Sequence, residues 1–539
     1  MTNSTISSLC TRLEVLESVR VVHEPTLQQI TDYINPNRTD FTVINSAGGR
    51  RMNKVYDTTA ISANRNLASA LTNSITNPQS RWVNMVARNP ELNESNAVKE
   101  YLSQIEDAVL SVFNSTGSGF YQHNHQLMLD LPAYGTACMF IDDSKEDISF
   151  STIPLSQVYI DEDFNGAVNT IFRKIELTGR QILNIEKWEK GLDSTARGRF
   201  TDSPNKKFEV IHAVMPSKDL AAEIDIEVNT SKEFGSIYFI KSPDIILEVD
   251  SFFENPYVTP RWEKLTGEIY GRGSGWNAIS DILMLNVMSE SGIRSVQLSS
   301  APSFLVPDDG VLTDIRAIPN GVTVGGIDED GNPRVRELPY NPRLDFLEAE
   351  KDTRRDAIRR AFFVDRFEQK PGTPVSATEN LDNQQVRLAL AAPQLFRIEL
   401  EYLTPVIDRV YNILVRKNKI PLAPAELENQ EFDYEYQSPV IKAQRQQELL
   451  AFNATMQSLA PLLAERPELL DVYDGDSLIR DNSQIAGIPQ KHMRSQAEVA
   501  QIAAARQQAQ QQAAQQEQAM QVADTAANLQ KSGINVTDE

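Results

Sequence analysis

The chain has 539 residues, with 52 Lys+Arg against 74 Asp+Glu and a formal charge of −22. That length allows roughly three or four structural units, while so acidic a balance excludes a generic nucleic-acid coat, whose affinity comes from phosphate neutralisation by Lys and Arg. Only Cys10 and Cys138 are present, which excludes a disulfide scaffold and fits a reducing compartment. The apolar runs are short, as in Ile282-Leu283-Met284-Leu285, so no bilayer span is expected. The first thirty residues carry Glu14, Glu17 and Glu24 and lack a basic start followed by an apolar core, so no signal peptide is expected either.

In chain order, Leu9, Leu13, Leu16 and Val19 recur at three- and four-residue spacing before Pro25, and residues 1–35 read as an amphipathic helix. Residues 37–56 are polar and Gly-containing and read as a loop. Asp57-Thr58-Thr59 supplies an N-cap candidate for a helix carrying Ile61, Leu67, Ala68, Leu71 and Ile75. Another helix is predicted from Val98 to Val112, and the apolar stretch from Gln126 to Phe140 reads as a buried helical segment followed by a strand. From Ile148 to about Val258 the period changes to two, with a strand–turn–strand around residues 161–166 and further strands at 208–215 and 237–249.

The glycines of 267–275 read as a flexible lead into a strong helix from Trp276 to about Ser300, with Trp276, Ile279, Leu283, Val287, Ile293 and Val296 as its apolar stripe. Residues 301–341 hold five prolines and enclose short β-like runs such as Val322-Thr323-Val324, and Asp328-Glu329-Asp330-Gly331-Asn332 suits a hairpin turn. A second helix is expected over 342–363, then a polar loop over 365–374. A long helical pattern over 376–416 places Leu381, Leu388, Leu395, Ile398, Tyr402, Val406, Val410 and Ile413 on one face, with Pro393 and Pro405 expected to kink it. Helices are also expected near 440–463 and 477–487. The Ala/Gln tract of 495–530 has high helix propensity and little to bury.

Candidate chemistry is sparse. His123-x-His125 lacks a Cys/His cluster beside it, so a metal site is not expected. Asp161-x-Asp163-x-Asn165-Gly166 begins like a calcium loop, but its twelfth position is Phe172, where a bidentate Glu is needed, and a hairpin turn is the better reading. Gly271-x-Gly273-x-Gly275 opens a helix but departs from the dinucleotide spacing and follows no buried strand. With no phosphate loop and no catalytic motif, neither an enzyme nor a cofactor is expected. The notable cluster is basic: Lys351, Arg354, Arg355, Arg359 and Arg360 crowd the second helix, and Arg366 and Lys370 lie in the loop beyond it. In a monomer these favour pairs with Glu348, Asp352 and Asp356 on a solvated face.

Three stretches carry a family resemblance: residues 56–71 running on to Pro78 and Trp82; Gly267-Glu268-Ile269-Tyr270-Gly271-Arg272-Gly273 leading into Ala278–Asn286; and Pro374-Val375-Ser376-Ala377-Thr378-Glu379. In their order and spacing, and in the Ala/Gln-rich end, the chain resembles the portal proteins, or head-to-tail connectors, of short-tailed bacteriophages. The resemblance implies a mainly helical α+β portal fold. Its parts map to a wing over 1–275, stem helices at 276–300 and 342–363, and a clip over 301–341. A tunnel loop follows over 364–375, then a long kinked wing helix and connection over 376–438, and a crown over 439–539. It implies a homo-dodecameric ring at one capsid vertex of the virion, assembled in the host cytoplasm. That ring admits double-stranded DNA during packaging and releases it during ejection. Its implied partners are the terminase large subunit, tail adaptor and nozzle proteins, and major capsid and scaffolding proteins, with no membrane.

On this reading Lys351, Arg354, Arg355, Arg359, Arg360, Arg366 and Lys370 are the DNA-channel candidates. Gly325, Asp328, Asp330, Gly331 and Asn332 are the candidates for docking partners at the clip. Twelve helices about 9 Å apart close around a bore of roughly 24 Å, enough for a duplex about 20 Å wide. An acidic wall repels phosphates, and sparse basic rings brake or centre the strand. The competing reading is another structural virion component, such as an internal core or tail-tube protein. A nucleotide-dependent enzyme, a third reading, rests only on the glycines near Gly273.

Overall fold

A computed structural model describes residues 2–364 apart from short stretches (the longest is 309–322), 392–424 apart from 422, 432–436, and a few positions between 455 and 512. In chain order the helices are α1 (Thr2–Val21), α2 (Glu24–Tyr33), α3 (Thr59–Ile75), α4 (Asn96–Asn114), α5 (Phe120–Tyr134), α6 (Gly179–Leu183), α7 (Glu186–Gly191), α8 (Ser194–Asp202), α9 (Ser217–Glu223), α10 (Ser274–Ser300), α11 (Leu344–Ala361) and α12 (Thr404–Arg416). The strands are β1 (Val83–Ala87), β2 (Cys138–Asp142), β3 (Ser149–Ile153), β4 (Val158–Glu162), β5 (Val168–Thr178), β6 (Lys207–Pro216), β7 (Phe234–Ile240), β8 (Ile245–Phe252), β9 (Tyr257–Val258), β10 (Phe304–Leu305), β11 (Arg336–Glu337) and β12 (Phe432–Tyr436). Two compact units result, one of Met1–Pro78 with Val112–Val410, the other of Gln79–Ser111 with Tyr411–Glu539. The chain is therefore mixed helix and sheet, as its two periodicities predict.

The first unit is organised around an antiparallel five-stranded sheet in the order β4-β5-β6-β7-β8. Alternation sends Tyr159, Phe172, Ile211, Ala213, Ile237 and Phe239 to one face, where Ile6, Leu9, Leu13 and Leu16 of α1 cover them. The predicted single helix over 1–35 is two, because the chain turns at Val22–His23 and Pro25 falls in the first turn of α2, where its missing N–H costs nothing. Val19 of the predicted stripe is exposed. On the opposite face Arg173, His212 and Tyr238 are cross-strand neighbours. His212 bonds the Tyr257 hydroxyl at 2.6 Å and the Ser236 hydroxyl at 2.9 Å, and burial holds its imidazole well below the ordinary histidine pKa. A three-stranded sheet, β3-β2-β9, closes over that face through Phe140 and Tyr257. The period-two reading thus holds for the strands, but α6 to α9 were not anticipated within the region.

The glycines before α10 are not a flexible lead. A Cβ on Gly273 would stand 2.2 Å from the Pro132 carbonyl oxygen, one on Gly271 2.3 Å from that of Gly135, and one on Gly275 2.3 Å from that of Ala133. Gly135 itself caps α5 at φ +87°. The two segments pack backbone to backbone, which only hydrogen side chains permit. The space that a phosphate cradle would offer is filled by the chain's own carbonyls, so the nucleotide reading of these glycines fails.

The helical stretch from residue 392 buries Leu395, Ile398, Tyr402, Val406, Val410 and Ile413, the predicted face. Near Pro405 the helix widens into a π-turn, Glu399–Leu403, and Thr404 donates its hydroxyl to the Glu399 carbonyl at 3.0 Å. The extra residue absorbs the missing proline donor. Leu381 and Leu388 lie outside the described residues, as do the helices expected at 477–487 and nearly all of those at 440–463 and 495–530.

In the second unit β1 pairs antiparallel with β12, Val83 opposite Tyr436 and Ala87 opposite Phe432. Sequence reading missed both strands. Glu106 of α4 accepts the Met85 N–H at 2.8 Å and an Arg81 guanidinium N–H at 3.2 Å. Burial pushes its carboxyl up to about 7.

Candidate functional site

The two central helices, α10 and α11, pack against each other within the first unit. The inward face of α10 is Ala278, Ile282, Leu285, Asn286, Ser289 and Gly292. Toward its C-terminal end this face narrows to Ser289 and Gly292, and α11 approaches closely there; a Cβ on Gly292 would meet the Leu347 side chain at 3.1 Å. Of the predicted stripe, Trp276, Ile279 and Leu283 are half-buried, whereas Val287, Ile293 and Val296 are exposed, with Met284 and Leu298 beside them. Period alone does not choose the inward face when a helix is apolar on more than one side. On α11, Phe346 is likewise exposed, at 67%.

The basic cluster divides into two layers. Lys351 is buried and reaches Glu348 at 2.8 Å. Arg354 ties α11 to Asp281 of α10 at 2.9 Å and also reaches Glu350. Arg355 bonds Asp57 at 2.9 Å and Asp352 at 2.9 Å. Asp57 in turn accepts the Thr59 N–H at 2.9 Å, while Asn286 of α10 accepts the N–H groups of Tyr56 and Asp57. Burial pushes the Asp57 carboxyl up, but the bonds from Thr59 and Arg355 outweigh it and hold it below the usual range. Thr58 is the N-cap of α3, with no side-chain cap bond, and Asp57 just before it serves as a latch joining the start of α3 to both central helices. Neither the Asp57–Arg355 nor the Asp281–Arg354 pair was visible in the sequence, because each joins residues far apart in the chain.

Arg359 and Arg360 form the outer layer. Arg359 reaches Asp356, one turn away, at 3.0 Å. Arg360 donates to the Asp356 backbone carbonyl at 3.2 Å and carries no carboxylate partner among the described residues. Both are exposed. Arg366 and Lys370 lie outside the described residues.

Beyond α10, β10 pairs antiparallel with β11. The turn after Ile327 is closed by Asp328, whose carboxylate accepts the N–H groups of Asp330 at 3.1 Å and Asn332 at 2.7 Å. These bonds, that of Asn332 first, hold the Asp328 carboxyl below its ordinary pKa. Gly325 and Gly331 supply the left-handed backbone, at φ +79° and +84°. Val324 is in a turn instead of the expected β-like run. It and Ile327 project apolar side chains into solvent.

The profile of the bacteriophage head to tail connecting proteins matches residues 7–493. The chain belongs to that family. It is also 27% identical to the portal protein of Salmonella phage epsilon15 over 509 residues, 92% of this chain and 90% of that one. It is 27% identical to the probable portal protein of Bordetella phage BPP-1 over 514 residues, 93% and 91% of the two chains. Head-to-tail connecting proteins are structural virion components at the head–tail junction, not enzymes. His123 and His125 are each bonded within the fold, to the Thr152 N–H and the Thr72 hydroxyl. Asp163 closes its hairpin by accepting the Ala167 N–H at 2.8 Å. Among the described residues no helix is long and apolar enough to cross a membrane.

Proposed function

We propose that the chain assembles as a twelve-copy ring at one capsid vertex, with α10 and α11 as its stem. Through this ring DNA is packaged and ejected. The observation that carries this reading is the apolar surface left on a helix pair already packed on itself: Met284, Val287 and Leu298 on α10, with Phe346 on α11. Soluble monomers rarely leave such stripes bare, and side-by-side copies would cover them.

On this reading residues 301–341 form the clip, where Val324, Ile327 and the 325–332 turn engage first the terminase large subunit and then tail adaptor and nozzle proteins. The sheet-bearing region before α10 is the wing, facing capsid and scaffolding proteins, and 439–539 is the crown. Arg359 and Arg360 lie nearest the DNA, with Arg366 and Lys370 of the following loop. Lys351, Arg354 and Arg355 hold the stem from within. Electron microscopy of the purified protein tests the assembly: a twelve-fold annulus with an axial hole is expected, and a monomer under every assembly condition would overturn the reading. Val287→Asp should abolish the annulus while leaving the circular dichroism of the subunit unchanged.

A further inference from the structure

In a chain of charge −22, residues 179–207 run against the balance, with seven basic residues to four acidic. They form a lobe of α6, α7 and α8 with its own core: Ile182, Trp188, Ala196 and Phe200 pack on Phe208, Val210, Ile240 and Leu247. Thr178 caps α6 in a reciprocal box with Gln181, and Asp193 caps α8 by accepting the Ala196 N–H at 2.7 Å. Gly179 lets the start of α6 press on the end of α8; a Cβ there would stand 2.8 Å from the Phe200 carbonyl oxygen.

That contact gathers cations from three elements. The Gly179 N–H donates to the Lys206 carbonyl at 3.1 Å and the Arg180 N–H to that of Pro204 at 3.0 Å, so Arg180 and Lys206 adjoin at the corner where the last turn of α8 brings Arg199. Lys187, Lys190, Arg197 and Lys207 are engaged with Glu248, Glu186, Glu189 and Glu176. Arg180, Arg199 and Lys206 are exposed and have no carboxylate partner among the described residues. The lobe presents just one large exposed apolar side chain, Ile185. A protein partner would need an apolar centre to its interface, whereas a phosphodiester backbone is held by mobile cations through counterion release.

We propose that the corner formed by Arg180, Arg199 and Lys206 binds the backbone of duplex DNA, without sequence preference, at a surface separate from α10 and α11. The contact is weak and salt-dependent, because three cations act against the field of an otherwise acidic chain. It requires no ring, so it stands or falls independently of the assembly seen by microscopy.

The test is fluorescence anisotropy of a labelled mixed-sequence duplex of about 20 base pairs against the purified full-length chain, between about 50 and 200 mM salt. Wild type should bind, and Arg180→Glu/Arg199→Glu/Lys206→Glu should weaken binding at least about tenfold at the lowest salt. The triple change should also reduce the slope of log K against log salt by about 2–3, with circular dichroism unchanged. Arg359→Glu/Arg360→Glu should retain the binding that the corner supplies. A triple variant that binds like wild type, or a wild type that does not bind the duplex at the lowest salt, would overturn the proposal. Equal binding of polyglutamate would overturn it too, in favour of an acidic protein partner.

Discussion

Arg261 is buried to 3% exposure, yet its polar atoms are widely satisfied. Its side chain meets Glu401 at 3.0 Å, Glu162 at 2.8 Å and the Gly166 carbonyl at 2.7 Å, and its backbone N–H donates to Glu401 as well. One guanidinium therefore joins the β4–β5 turn, the segment before α10 and the π-turn before α12. Arg261→Met should cost about 3–5 kcal/mol, because it strands part of two carboxylates in a low-dielectric site. A urea midpoint close to wild type would reject that estimate. At Gly273 the cause is steric. Gly273→Ala forces a methyl against the Pro132 carbonyl oxygen, which neither backbone can yield, and should cost about 2–4 kcal/mol, read as a lowered Tm. Both residues lie in the stretch that carries the family resemblance or just before it. Their purpose was not legible there, since a glycine reads the same in a flexible lead and in a backbone contact.

At the scale of elements, Glu106 couples α4 to β1. Its carboxyl titrates near 7 when folded against an ordinary 4.5, with burial the chief cause. The folded chain binds the extra proton between those values, so this contribution to stability is full below about 4.5 and is lost as pH rises through about 7. Glu106→Gln keeps an acceptor for the Met85 N–H and removes the titration. It should flatten the fall in stability between pH 5 and 8, gaining about 1–3 kcal/mol relative to wild type at the upper end. Identical pH profiles for the two proteins would show that the group does not control that slope. The helix α10 gives a contrasting lesson. Its boundaries followed from spacing and from Ala301-Pro302, but its buried face did not. The structure packs the side with Ala278, Ile282, Leu285, Asn286, Ser289 and Gly292 inward, because a helix apolar on more than one side leaves that choice to the elements it meets.

For the whole molecule, the arginines of α11 separate by role. Arg354 and Arg355 hold helices together, and Arg359 and Arg360 are left to solvent. In an assembled ring, Arg359→Glu/Arg360→Glu should leave the annulus intact and impair genome packaging or retention, measured as DNA content per particle. Normal packaging would remove these two residues from the DNA path.

Composition and periodicity by themselves determined that this chain is an α+β protein, helical first, β-rich next and helical again, because burial obeys periods of 3.6 and 2 whatever the partner surface. The order of the motifs placed it among the head-to-tail connectors. Only the tertiary structure decided which faces those periods bury, that Gly271 and Gly273 serve backbone contact, and that β1 finds β12 more than three hundred residues away. These outcomes depend on pairs of residues remote in sequence, and a local pattern carries no record of what it will meet.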